Sequence, residues 1–296
     1  MSKVSAVAVK ELRGKTGAGI LDCKNALLEA KGDSELAIDI LRTKGAMAAS
    51  KREGRKVSEG LIGIARDGYK KASIVEVNVE TDSLAKNTDF QSLVSNIAGI
   101  ALSTDGSLDN VLAMPFDHSG ITVGDGIKQQ IAITGECIKL RRSALLCVSE
   151  GVISSYLHAS PSEGLGSIGV LVALQSSAED KELLSAIGEK IAVHVMLASP
   201  SVISVQMLDP SIVANKRAHY MTEALDSGKS GNIVEKIVNG KMQSFCKECV
   251  LLHQGFVVDP SKTVSDFLKE SEKSIGASIE VVGVSHFVVG KENDDG

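Results

Sequence analysis

The chain has 296 residues, 32 of them Lys or Arg and 37 Asp or Glu, for a formal net charge of -5; that balance leaves no overall basic surface to neutralise phosphates and argues against a dedicated nucleic-acid binder. Aromatic residues make up only 3% and Trp is absent, which removes the platforms on which bases stack. No run of about 18 apolar residues occurs, the start is amphipathic without a signal-peptide core, and five scattered cysteines make no disulfide framework, so a cytoplasmic chain with no membrane span is expected.

A chain of this length exceeds what one hydrophobic core usually fills, so two or three modules are expected. The first 50 residues read as three short helices. Val4, Ala8 and Leu12 mark one face of the first, Gly17 and Gly19 make the turn, and Asp22 can cap the second, whose Ala26, Leu27 and Ala30 point inward. Asp33 can cap a third with Ala37, Ile40, Leu41 and Lys44 on one stripe. Three helices this small make a weak core, which suits a docking module over 1–52. Residues 53–60 lie in a charged, glycine-containing stretch that reads as a solvated linker.

From residue 61 the period changes to that of strands. GLIGIARD and KASIVEVNVE are expected strands, followed by a helix from about Thr88 to Leu102 with Phe90, Leu93, Val94 and Ile97 inward. A helix near 122–134 and a strand IKLRRSALLCV with exposed arginines complete the first half of a core, 61–150. A related order returns in 151–290: strands YLHA and GSIGVLVALQ, then a helix after Asp180 with Leu183, Leu184, Ile187, Ile191 and Val195 on one side. Within it, 211–254 reads as an antiparallel helical hairpin, with Ala214, Ala218, Met221 and Leu225 facing Val234, Val238, Met242, Phe245, Cys249 and Leu252. A helix PSKTVSDFLKE, a strand SIEVVGVSHFVVG and a polar tail at 291–296 follow. The fold class expected is α+β, a duplicated core of antiparallel sheets behind a three-helix module.

Several motifs invite chemistry that their surroundings refuse. GKT at 14–16 and GKS at 228–230 lack the earlier glycine and the buried strand of a phosphate loop, having Val9 and Glu223 where that glycine belongs. Gly164, Gly166 and Gly169 spell G-x-G-x-x-G but run into a strand, so no helix N-terminus waits for a pyrophosphate. Cys246 and Cys249 form C-x-x-C with His253 four residues on, yet no second ligand pair stands at a supporting spacing, and thiols packing as small hydrophobes are expected. His158, His194, His219 and His253 fall on different elements without a nucleophile at triad spacing. A protein without covalent catalysis, cofactor, metal or small-molecule substrate of its own is expected.

Six segments in one order, KELRGKTGAGILDCKNAL, ELAIDILRTKGA, VEVNVETDSLAKNTDFQ, KIAVHV, GNIVEKIVNGKMQSF and DPSKTV, resemble the bacterial elongation factor Ts family over about residues 5–288. The resemblance implies an N-terminal module of the ubiquitin-associated (UBA) type, a helical hairpin in the second core half, and guanine-nucleotide exchange on elongation factor Tu, whose GDP and Mg²⁺ it would loosen. It also implies partner contacts at Leu12, Arg13, Gly17, Ala18, Gly19 and Ile20, at the loop Thr81, Asp82, Ser83 and Leu84 facing the partner's Mg²⁺ region, and at Ile168 and His194. The family carries Thr-Asp-Phe where this chain has Thr81, Asp82 and Ser83, and there a phenylalanine acts as an apolar wedge. Ser83 cannot wedge, so displacement would rest more on Asp82, Leu84 and the remaining interface, and a binding scaffold or chaperone of the same fold is the alternative reading.

Overall fold

The computed structural model describes residues 4–52, 54–116, 120–228 and 230–291. Helices α1 (Ala6–Thr16), α2 (Ile20–Glu29) and α3 (Ser34–Ser50) come first. Gly17 closes α1 at φ 67, a left-handed conformation that costs glycine little. Asp22 does not cap α2: Gly19 holds that position and Asp22 sits in the first turn, where its charge still complements the helix dipole. Asp33 caps α3 through the amides of Glu35 and Leu36. Val9, Leu12, Cys23, Ala26, Leu27 and Ala37 form a small buried core.

The rest of the chain builds two sheets. Strands β1 (Glu59–Asp67) and β2 (Lys71–Val79) form an antiparallel hairpin, followed by α4 (Asp82–Ala85), α5 (Thr88–Ala101), α6 (Leu108–Ala113), α7 (Val123–Thr134) and β3 (Ile138–Cys147). Then come β4 (Gly151–His158), β5 (Leu165–Gly166), β6 (Ile168–Gln175), α8 (Lys181–Ala198), α9 (Pro210–Asp226), α10 (Asn232–Cys249), α11 (Val264–Ile275) and β7 (Glu280–Val288). The strand orders are β3-β2-β1-β5 and β4-β6-β7, with every pairing antiparallel. Helices α5 and α7 cover the outer face of the first sheet and α8 and α11 that of the second. The inner faces meet through Ile62, Ile74, Ile153 and Leu171, which gives four layers: helix, sheet, sheet, helix. Strand β2 is buried along almost its whole length because both its faces are covered.

Glycines permit the closest approach between sheets. The run Gly164, Gly166, Gly169 passes from β5, in the first sheet, to β6, in the second, and a Cβ on Gly169 would lie 2.6 Å from Ile62 Cγ2. Sheet contact therefore accounts for that spacing without a phosphate. In β3 the expected alternation with exposed arginines breaks down. The register shifts so that Glu76 pairs with Arg142 and Val77 with Leu140, leaving Arg141 as the extra residue of a bulge. A bulge reverses the inside-outside phase, and Arg142 turns inward onto Glu76.

Two further expectations need correcting, and one helix was not expected. Arg55, read as part of a solvated linker, hydrogen-bonds to Glu80, and Arg52 at the end of the module hydrogen-bonds to Gly135. Helix α6 is only six residues long, too short for helical periodicity to reveal. On α9 the inward residues are Tyr220 and Ala224, whereas Ala214, Ala218, Met221 and Leu225 face solvent, Leu225 being 54% exposed. The partner seam on α10 holds Val234, Val238 and Met242 as expected, and the small Ala224 lets the two helices close together there. The tail residues 292–296 lie outside the described residues, and so does Lys229 of the GKS motif. Among the described residues no helix is long and apolar enough to cross a membrane.

Candidate functional site

The turn after β2 is held by side chains from a distant corner. Thr81 caps α4, its Oγ1 accepting from the Leu84 amide at 3.3 Å. The same hydroxyl donates to Glu136 Oε1 at 2.8 Å, and the Thr81 amide donates to Glu136 Oε2 at 3.1 Å. Asp82 pairs with Lys86 at 2.6 Å, an exposed i,i+4 pair of small energetic weight. Asp82 and Ser83 face solvent. Leu84 does not: one helical turn from Thr81 it rotates onto the first core, 9% exposed, so it supports the turn from inside and offers a partner little surface. Phe90 is likewise a buried core residue of α5.

Beside this turn, Glu80 Oε1 accepts from the Cys137 amide at 2.6 Å and from Arg55 Nη1 at 3.2 Å. The Cys137 amide, with help from the Arg55 and Arg52 charges, holds the Glu80 carboxyl below its ordinary range against the opposing effect of desolvation. One residue away, Gly135 O accepts from Arg52 Nε at 2.8 Å. Residues 135–137 thus touch both the tether of the helical module and the Thr81 turn.

In the module itself, Leu12 is 2% exposed and belongs to the core, so its contribution to any contact is to shape α1. Arg13, Gly17, Gly19 and Ile20 are exposed and Ala18 is half-buried. Ile20 and Leu21 present an apolar pair, 59% and 68% exposed. The turn stands against α7: a Cβ on Gly17 would lie 3.1 Å from Ile133 Cδ1, and one on Gly45 of α3 3.5 Å from Ala132 Cβ. A cleft of about 230 Å³ lies between α7 and the module.

His194 is fully buried on α8, and neither nitrogen is free for a partner in this arrangement. Nδ1 accepts from the Val257 amide at 3.2 Å, so the proton sits on Nε2, which donates to Gln254 Oε1 at 2.9 Å. Gln254 in turn donates to Glu248 O, at 2.7 Å, near the end of α10. The exposed apolar groups beside this network are Val257 and Val258. Ile168 opens β6, half-buried between His158 and Val288, and belongs to the same sheet unit as His194.

Burial pushes the His194 imidazole pKa down, partly opposed by Gln254, and burial pushes His286 down together with the charges of Lys291 and Arg142. A histidine whose folded pKa is depressed binds its proton more readily when unfolded. Stability is therefore fully present above the unfolded value near 6.5 and falls as pH drops from there towards the folded value, by at most about 1.4 kcal/mol per pH unit for each histidine. Thermal unfolding followed from pH 7.5 to 5.5 should show a falling midpoint; a constant midpoint would contradict burial of neutral imidazoles.

Cys246 and Cys249 lie in the last turn of α10. Burial raises the Cys249 thiol pKa and Cys246 raises it further, which disfavours the thiolate needed for nucleophilic attack or metal ligation. Residues 135–137 therefore link Arg52, at the end of the helical module, to the Thr81 turn, while His194 and Ile168 lie in the other sheet unit. Glu80, Glu136, Arg52, Arg55 and Gln254 were not legible as site residues, because their partners are distant in sequence: 55 residues separate Thr81 from Glu136 and 83 separate Arg52 from Gly135.

A family model described as elongation factor TS matches residues 80–291. The elongation factor Ts of Rhizobium johnstonii is 48% identical over 291 residues, covering 98% of this chain and 94% of the relative. That of Rhizobium meliloti is 48% identical over 288 residues, 97% of this chain and 93% of the relative, and that of Allorhizobium ampelinum 45% identical over 291.

Proposed function

The chain belongs to the elongation factor Ts family, and from that premise we propose that it is the guanine-nucleotide exchange factor of a cytoplasmic elongation factor Tu. It binds the GDP-bound partner, loosens GDP and Mg²⁺ and leaves when GTP enters, without covalent catalysis and without nucleic acid, membrane or a small-molecule substrate. The observation that carries this reading is 48% identity to an elongation factor Ts over 98% of this chain. A factor that binds the nucleotide-free partner more tightly weakens nucleotide binding by the same coupling, so it speeds exchange and leaves the final equilibrium unchanged.

In this reading 1–52 is a UBA-like docking module whose contacts are Arg13 and the Gly17–Ile20 turn, 53–60 is its tether, 61–150 and 151–290 are the two core halves, and α9 with α10 is the family's hairpin. Asp82 and Ser83 meet the partner's Mg²⁺ region; Leu84 and His194 act by shaping their surroundings. Stopped-flow release of fluorescent GDP from elongation factor Tu tests the reading, with concentration-dependent acceleration expected. Ser83 is exposed, so a phenylalanine there fits without entering the core, and burying such a ring is worth about 1.5–3 kcal/mol. Ser83→Phe should accelerate GDP release roughly tenfold, which corresponds to about 1.4 kcal/mol; an unchanged or slower rate would show that this turn does not act as a wedge. The serine itself favours a second reading, a scaffold or chaperone of the same fold, which tight binding without acceleration would support.

A further inference from the structure

We infer that Glu136 is a positioning residue that sets the Thr81–Ser83 turn and joins it to the tether of the helical module. The inference rests on the exchange reading for its functional consequence, though its geometry stands apart from it. Gly135 ends α7 at φ 76, and Cys137, two residues on, is buried. Between these two anchors the Glu136 carboxylate takes two hydrogen bonds from Thr81, one from the amide and one from the hydroxyl. The hydroxyl proton is thereby committed to Glu136, which leaves an oxygen lone pair for the Leu84 amide. Its rotation is fixed, and with it the first turn of α4.

Helix α4 has four residues, far below the length at which a helix holds itself together in water. Its alignment comes from the Thr81 cap on one side and Leu84 in the core on the other, and Ser83 is carried between them. Releasing Thr81 leaves the exposed face of the turn in the right orientation for only a fraction of the time, and the effective rate of any event that needs it falls by that fraction. Arg52 at the end of the module donates to Gly135 O, and Arg55 of the tether donates to Glu80, which also accepts from the Cys137 amide, so module and tether reach the same corner. Movement of the module is thus felt at the turn.

Glu136→Ala and Thr81→Val test this. In GDP release from elongation factor Tu, each should lower the maximal rate about tenfold and leave the half-saturating concentration within about twofold, because the grip on the partner lies elsewhere. The double variant should be no slower than the slower single one, since both substitutions remove one linkage. On the free protein, Glu136→Ala should speed amide hydrogen exchange at Leu84 at least tenfold with little change in global unfolding. An unchanged Leu84 exchange rate, an unchanged maximal rate, or multiplicative losses in the double variant would each overturn the assignment. If the wild-type protein fails to accelerate GDP release, the exchange reading fails, and the Leu84 amide alone decides whether Glu136 holds the turn.

Discussion

Arg142→Ala is expected to destabilise the protein by about 3–5 kcal/mol, the loss that follows when one partner of a buried ion pair is removed. Glu76 is fully buried and the Arg142 side chain is 15% exposed; Arg142 Nε donates to Glu76 Oε2 at 2.5 Å. The remaining carboxylate oxygen accepts from Asn78 Nδ2 at 3.0 Å and from the Gly290 amide at 2.9 Å. Without the guanidinium the carboxylate stays buried, with neutral donors alone to balance it. The loss reaches beyond the first sheet, because the guanidinium lies 4.3 Å from the centroid of Phe287 and Nη2 donates to Val288 O at 3.1 Å. Both of those residues are on β7, so one arginine ties the two halves together. For a protein of this size the melting temperature should fall by roughly 6–20 °C. The double variant Arg142→Met, Glu76→Gln keeps an acceptor for Gly290 and removes the charge, and it should recover at least half of the loss. A single-variant loss below about 1 kcal/mol would mean that the pair barely outweighs its own desolvation.

Gly188→Ala should also destabilise, by about 1–3 kcal/mol, although alanine is ordinarily the better helix former by about 1 kcal/mol. Gly188 faces β4 from α8, and a Cβ there would lie 2.2 Å from Ser154 Oγ, 2.7 Å from Ser154 Cβ and 3.2 Å from Leu174 Cδ1. The serine cannot rotate out of the way without losing its bond to Ser185 O, and its Cβ cannot rotate at all. The helix must lift from the sheet. Because α8 also carries His194, the Val257 and Gln254 contacts should loosen with it. Ser154→Gly in the same chain makes room and should restore much of the stability measured by denaturant unfolding. A stabilised Gly188→Ala protein would show that α8 can shift freely.

Much of the architecture could be read from local pattern. The helix expected from about Thr88 to Leu102 is α5, Thr88–Ala101, with Phe90, Leu93, Val94 and Ile97 buried as the spacing required. Asp33 and Asp180 cap the helices they precede. These features depend on residues within about two turns of one another, and a sequence displays such neighbours directly. Where one extra residue changed the phase, local pattern misled. The Arg141 bulge turned Arg142 inward; on α9, without any bulge, the buried seam fell on Tyr220 and Ala224 in place of the neighbouring Met221 and Leu225.

The candidate site was legible in its segments and not in its geometry. The Gly17–Ile20 turn and the Thr81–Ser83 turn stood out as segments, and both lie at the surface, apart from the half-buried Ala18. That Leu12, Leu84 and His194 point inward, that Glu136 clamps Thr81, and that Gln254 and Val257 occupy both nitrogens of His194 became visible only in the fold. The sequence by itself determined the longer helices, most strands and the glycine turns, together with the family they spell, because those rest on short-range periodicity and backbone preference; the short α4 and α6 and the cap of α2 did not follow from it. The tertiary structure alone decided which polar groups meet across the 55 to 214 residues that separate Thr81 from Glu136 and Glu76 from Gly290. Such pairings follow from how two sheets stack and how a helical module seats on them, and neither leaves a local trace.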